Sequence, residues 1–424
     1  MQAEPTSPRT ASAGISSSLT LLFALTCGVS VSSLYLLQPV LDDIQSDFAV
    51  STATAALVVT AGQLGYVLGL LLLVPLGDLW NRKLLAPSMM IASAGALLLS
   101  GLAPGFIALF AASILVGISA ATAQLVIPWS SSLALPSDRG RVVGVVMSGL
   151  LMGILLARVV SGLIAEFGGW RSVMFVCSGL MAVLAVIVYF LAPPDTSRPH
   201  QPYGRLLLSV VRIIRTETML RQRMALGFLT MFGFSAMWTS AAFLLSGSRG
   251  EHFDYSEAVI GAFGLAGIAG ALGAPLIGRL ADRGHLRLAT TSAWLVTIAG
   301  WLLLAWPGTP LPAFIIGLVV FDLGAQSSQL SNQNAIYSLA PEARSRVTTA
   351  YMVTYFTGAV AGSVCSGFAY AGGGWGTLCL IGIGASILGL LTWIGFDRWN
   401  TRGRVSGSDQ PVAEATPSPR RTSS

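Results

Sequence analysis

Two ionisable side chains stand alone inside long apolar runs. Arg158 lies 17 residues after Arg141, and Asp322 lies ten residues after Pro312. At about 1.5 Å per helical residue, each falls inside a bilayer-length span. A charge at a span's centre costs at least about 2.5 kcal/mol, so each needs a partner or a watery cavity. A carboxyl at that depth is a proton-carrier candidate, because it can change its charge within one cycle. An arginine keeps its charge and can act as the partner that the carboxylate meets and leaves. Such a gate would tie proton release to a change of shape. The competing expectation is that backbone or amide groups satisfy Arg158 and Asp322 separately.

Amides form a second group. Gln326, Gln329 and Gln333 recur at i, i+3 and i+7 and therefore share one helix face. A ligand-reading stripe has this pattern, and so does a stripe of interhelical hydrogen bonds. No enzymatic constellation accompanies these residues. His200, His252 and His285 lie far apart in loop segments, with no nucleophile–base pair or metal-ligand spacing. No phosphate-binding glycine loop occurs, so neither ATP coupling nor a cofactor is expected. Cys27, Cys177, Cys365 and Cys379 lack disulfide or metal spacing and read as packing residues.

The elements that must position these groups are membrane spans. The 424 residues are 54% apolar and 10% charged, with a mean hydropathy of +0.73. A soluble domain carries roughly a quarter charged residues, so this chain cannot cover a water-facing surface. Twelve spans are expected near 19–41, 53–76, 84–102, 105–128, 142–165, 172–191, 224–246, 258–278, 288–306, 312–335, 347–370 and 374–395. The first is too long for a signal-peptide core. Residues 1–17 and 399–424 read as disordered tails. All but three of the 24 cationic residues, namely Arg158, Arg171 and Arg249, fall in the termini, the even-numbered loops or the central linker. Both termini are therefore expected in the cytoplasm of an inner membrane. The formal charge of +6 thus reflects membrane orientation and not a nucleic-acid partner.

The chain also repeats itself at an offset of 205. Pro136-Ser137-Asp138-Arg139-Gly140-Arg141-Val142 matches Pro341-Glu342-Ala343-Arg344-Ser345-Arg346-Val347. Gly153 pairs with Gly358, Ser161-Gly162 with Ser366-Gly367, and Gly168-Gly169-Trp170 with Gly373-Gly374-Trp375. A parallel duplication of a six-helix unit is expected, with halves at 18–195 and 223–398. The linker 196–222 sets Arg205, Arg212 and Arg215 at helical spacing beside Leu206, Val210, Val211 and Ile214. It reads either as an amphipathic helix on the membrane face or as a solvated basic segment.

Short loops after the second and eighth spans set an acid beside bases: Gly77-Asp78-Leu79-Trp80-Asn81-Arg82-Lys83 and Gly278-Arg279-Leu280-Ala281-Asp282-Arg283-Gly284. Either aspartate can cap a helix N-terminus, and the arginines can hold carboxylates or headgroups. In these loops, and over nearly its whole length, the chain resembles the major facilitator superfamily. Gln38-Pro39, the run 149–158 and Ser331-Asn332-Gln333 look like the branch of bacterial drug and sugar efflux proteins. The resemblance implies an all-α membrane fold of two six-helix halves. It further implies alternating access, with Asp78, Arg82, Asp282 and Arg283 bracing one closed state. Spans one, four, seven and ten would line the cavity, presenting Gln38, Gln124, Trp238, Gln326, Gln329 and Gln333 to a solute. Span five would run along the boundary between halves, bringing Arg158 toward Asp322. Two departures weaken an antiporter assignment: Ser113 stands where an arginine is usual, and Ile154 and Ala157-Arg158 replace parts of a Gly-Pro-x-x-Gly-Gly element. The expectation is proton-coupled efflux of a small solute by a monomer in contact with membrane lipid. Proton-coupled uptake is the alternative, and a non-transporting sensor a third.

Overall fold

The computed structural model describes residues 15–194, 203–247, 253–267, 273, 279–280, 283, 285–308, 310–337 and 344–407. Within them the chain is helical. Its helices are α1 (Ser17–Ser32), α2 (Leu41–Asp47), α3 (Thr52–Leu72), α4 (Arg82–Gly101), α5 (Phe106–Ala120), α6 (Thr122–Leu133), α7 (Arg139–Leu191), α8 (Tyr203–Thr216), α9 (Thr218–Leu245), α10 (Glu257–Ala262), α11 (Leu286–Leu304), α12 (Leu311–Tyr337) and α13 (Arg344–Gly407). Eight helical stretches among the described residues are long and apolar enough to cross a membrane. Two of them, in α7 and α13, hold two spans each, divided at Gly169 and Gly374. α1 is a shorter apolar helix, and α10 lies at the start of the eighth expected span, part of which falls outside the described residues.

Local chemistry sets several helix starts. Ser16 Oγ accepts from the Leu19 amide at 3.2 Å, Ser51 Oγ from the Thr54 amide at 3.1 Å, and Asn81 Oδ1 from the Lys83 amide at 2.9 Å. Each satisfies one of the orphan donors at a helix N-terminus.

The repeat seen in the sequence is a repeat of geometry. Gly169 has φ 74° and ψ 168°, and its counterpart Gly374 has φ 66° and ψ −164°. This region is open essentially to glycine alone, so both hairpins turn at the one residue type that fits. The tryptophan after each turn is buried and hydrogen-bonded: Trp170 donates to Asp47 Oδ2 at 3.2 Å, and Trp375 to the Leu304 carbonyl at 2.8 Å. Gly153 lies against the backbone of Gly28 in α1, and Gly358 against the backbone of Phe228 in α9, with no room for a Cβ at either. Small residues thus let the spans approach closely in both halves, as lipid-embedded helices require.

Two spans depart from the uniform helices expected. The first, expected over 19–41, is helical only to Ser32, and turns carry the chain through Gln38-Pro39 into α2. Pro39 lacks an amide proton and disfavours helix at the residue before it. The fourth, expected over 105–128, continues to Leu133 with a break at Ala121. The two halves meet through buried polar contacts: Thr60 Oγ1 with Ser363 Oγ at 2.8 Å, and Gln63 Nε2 donating to Ser235 Oγ at 2.8 Å.

Candidate functional site

The turn that ends α1 presents Gln38 to the interior, where it is 2% exposed. Its Oε1 accepts from Arg158 Nε of α7 at 2.9 Å. Arg158 is itself 2% exposed and is enclosed by rings. Its guanidinium carbon lies 4.0 Å from the Trp238 ring centroid, 5.0 Å from Tyr35 and 5.9 Å from Phe234. A desolvated cation over such faces gains roughly 2 kcal/mol from the best of them. Its Nη2 is buried and has no hydrogen-bond partner among the described residues. A void of about 10 Å3 adjoins it, lined by Gln38, Pro39, Arg158 and Trp238 with Ala241, Ala242, Leu245 and Ile260. That is space for one water-sized group.

Asp322 of α12 is 1% exposed. Its Oδ1 accepts from Trp238 Nε1 at 3.4 Å, a long bond. Its Oδ2 faces the chain beyond α10, where a Cβ on Gly267 would stand 3.1 Å away. Arg158 and Asp322 make no ion pair within 4 Å. Trp238 bridges them instead, with its face on the cation and its N–H on the acid. The first half supplies Arg158, Gln38 and Tyr35, and the second supplies Trp238, Phe234 and Asp322. Glycine permits this closeness: a Cβ on Gly264 would stand 3.1 Å from the Cβ of Arg158.

The other sequence candidates fall in different places. Gln124 donates to the Tyr66 hydroxyl at 3.3 Å, and Gln329 Oε1 accepts from the Tyr351 hydroxyl at 2.6 Å. Gln326 and Gln333, on the same α12 face, are half-buried. Arg82 is buried and donates from Nε to the Gly77 carbonyl at 2.8 Å. Arg283 is exposed. Asp282 and the side chain of Asp78 lie outside the described residues. Ser113 is buried and donates to the Leu109 carbonyl of its own helix at 2.8 Å.

Arg223 is a further buried cation, one that sequence reasoning missed. It is 2% exposed, with Nη1 3.1 Å from Thr290 Oγ1 and 3.2 Å from Asn332 Oδ1 and its guanidinium 4.8 Å from the Trp393 centroid. Its position one residue before the expected span hid it among loop arginines. The helix that holds it starts earlier, at Thr218.

At the end of the bundle where α2 meets α10, acids gather on both halves. Asp47 pairs with Arg171, and Ser256 donates to Glu166 Oε2 at 3.0 Å across the halves. Asp43 and Glu257 are hydrogen-bonded side chain to side chain; burial first, and then the Glu257 charge, push the Asp43 carboxyl up to about 7. Among the described residues, no group of three or more His, Cys, Asp or Glu side chains could hold a metal ion.

The model of the Major Facilitator Superfamily matches residues 22–283 and 224–421. The uncharacterized transporter YgaY of Escherichia coli (strain K12) is 43% identical over 379 residues, covering 89% of this chain and 95% of its own. A protein of Helicobacter pylori (strain G27) named "Probable sugar efflux transporter" is 24% identical over 386 residues, 88% of this chain and 94% of its own. Among solved structures, a bacterial homologue of the human lysosomal transporter Spinster, inward-facing and occupied, superposes with a TM-score of 0.71 at 16% identity. That match covers 91% of this chain and 97% of the other.

Proposed function

The chain belongs to the Major Facilitator Superfamily, and from that premise we propose that it is a proton-coupled exporter of a small solute working by alternating access. Membrane transport is the family's activity; the coupling, direction and substrate are the proposal. One observation carries it. Arg158 from one half and Asp322 from the other are both buried where the halves meet, and one indole touches both. Asp322 takes and gives the proton, and Arg158 stabilises its charged form in the conformation where the two groups meet. The amides of the α12 face, with Gln38, Gln124 and Trp238, read the solute. Asp78 with Arg82, and Asp282 with Arg283, brace the closed state at the arginine-rich end.

Export of a drug or a sugar-like metabolite is supported by the name of the Helicobacter relative and by the aromatic lining around Arg158. The protein works as a monomer in the inner membrane with both termini cytoplasmic. For that orientation, Ser137→Cys should be shielded from an impermeant thiol reagent outside intact cells, and Ser248→Cys should be labelled.

The deciding experiment is a thermal-shift screen of the purified protein over drugs, sugars and amino acids, followed by flux of the hit in liposomes. Asp322→Asn should bind the solute and exchange it downhill but lose accumulation driven by a pH gradient. Full uphill transport by a well-expressed Asp322→Asn protein would remove the acid from the coupling step.

A further inference from the structure

The linker helix α8 is left unused by the transport reading, and its two faces differ in chemistry. Val210, Ile213 and Ile214 pack inward against the apolar core. Arg205, Leu208, Arg212 and Arg215 follow at i, i+3, i+7 and i+10, so they share the opposite face. All four are exposed, Leu208 at 68%, and Val211 beside them is exposed at 46%.

The helix is fastened at both ends and to both halves. The Tyr203 hydroxyl donates to the Leu72 carbonyl, at the end of α3, at 3.0 Å. Arg221 of α9 donates to the Ile214 carbonyl at 3.1 Å, satisfying a carbonyl at the C-terminus of α8. Along its length α8 packs on the short 3-10 turn Val74–Asp78 of the first half and on α13 of the second. Its 14 residues span about 21 Å, between the end of one membrane-spanning helix, at Leu191, and the start of the next, at Thr218. A helix tethered so closely to two spans lies at the membrane surface.

We propose that α8 is a docking strap for anionic phospholipid headgroups, its three arginines on the phosphates and Leu208 and Val211 in the upper acyl region. Charge complementarity selects this occupant: a basic face edged by aliphatic side chains is what a negatively charged leaflet attracts. Because the strap touches both halves, lipid held on it stiffens their junction at the arginine-rich end. The proposal does not depend on which solute is moved.

The test uses the full-length purified protein in detergent micelles mixed with either phosphatidylcholine or phosphatidylglycerol. Phosphatidylglycerol should raise the unfolding midpoint above its value in phosphatidylcholine. That gain should shrink by more than half at about 0.5 M salt, where screening acts within about 4 Å. The triple variant Arg205→Gln, Arg212→Gln, Arg215→Gln should match the parent in phosphatidylcholine and lose most of the gain. A full gain in that variant, or an equal gain from inorganic phosphate without lipid, would sink the proposal. If the triple variant proves unstable by itself, Leu208→Gln gives the second reading: it should keep the salt dependence and lose part of the gain, and an unchanged gain counts against the strap.

Discussion

Trp238 joins Arg158 to Asp322 through two different parts of one side chain: the indole face lies 4.0 Å from the guanidinium, and the indole N–H reaches the carboxylate at 3.4 Å. The two functions can be separated by substitution. Trp238→Phe keeps a ring near Arg158 but removes the donor to Asp322; a lost hydrogen bond to a charged group is worth about 1.5–3 kcal/mol. The expected result is a roughly tenfold or greater loss of gradient-driven accumulation, larger than any fall in solute affinity from shrinking a ring that also reads the solute. Trp238→Leu also removes the face and should lower the unfolding midpoint. Equal coupling in Trp238→Phe and the parent would show that the indole N–H carries nothing.

Arg158 and Asp322 were legible in the sequence because a charge in an apolar run has no inexpensive explanation. Their bridge was not, because a tryptophan in a span looks the same whether it packs or connects. The sequence left a direct pair and separate satisfaction both open; Gln38 meets the arginine, as the second alternative expected, while the indole ties both groups together. The hairpins at Gly169 and Gly374 were visible as repeated triplets, since shared apolar composition cannot make Gly-Gly-Trp coincide. The break at Gln38-Pro39 had its signal in the proline, but hydropathy averages over such a break. Arg223 was hidden by a boundary: a few residues of extra helix turn a loop cation into a buried one.

Both hairpin glycines occupy a backbone region that costs other residues about 1–3 kcal/mol. Gly169→Ala and Gly374→Ala should each lower the unfolding midpoint. Gly179→Ala is the control: that glycine lies within a helix and a Cβ there meets nothing within 4 Å. It should be neutral or slightly stabilising, because alanine prefers a helix more than glycine does. A Gly169→Ala protein as stable as the control would show that the turn relaxes freely.

Arg223 ties α9 to α11, α12 and α13 through Thr290, Asn332 and Trp393. Its Nη1 meets both acceptors while the planar guanidinium stacks on a ring, a contact that a lysine cannot reproduce. Arg223→Lys should therefore destabilise, and Arg223→Ala more, by about 3 kcal/mol through lost packing and stranded acceptors. A structural tie predicts unchanged solute affinity in whatever Arg223→Lys protein folds. A large affinity change at normal stability would assign Arg223 to the transport path instead.

Asp43 and Glu257 make the stability of the molecule depend on pH in a specific direction. Asp43 lies in α2 beside Asp42 and Asp47, and Glu257 faces it from the first turn of α10, so the hydrogen bond between them crosses the halves. With burial as the larger cause and Glu257 next, the folded Asp43 carboxyl titrates at about 7 instead of its ordinary 3.8. A carboxyl raised in the folded state binds its proton more tightly there than in the unfolded chain. Below about pH 4 both states hold the proton and the pair costs nothing. As pH climbs toward 7 the unfolded chain has already released it, and the folded pair becomes less and less favourable. Thermal unfolding of the purified protein should therefore show this contribution to stability falling between about pH 4 and about pH 7. Nearby charges do not reverse the sign: Arg171 is taken up by Asp47, and Glu166 by Ser256. Asp43→Asn keeps a hydrogen-bonding partner for Glu257 and removes the titration, so its profile should be flatter than the parent's across that window. Glu257→Gln should flatten it only in part, because it removes the neighbouring charge and leaves the burial of Asp43 in place. A parent profile that rises with pH while Asp43→Asn is unchanged would mean that the two carboxyls do not share a proton across the halves.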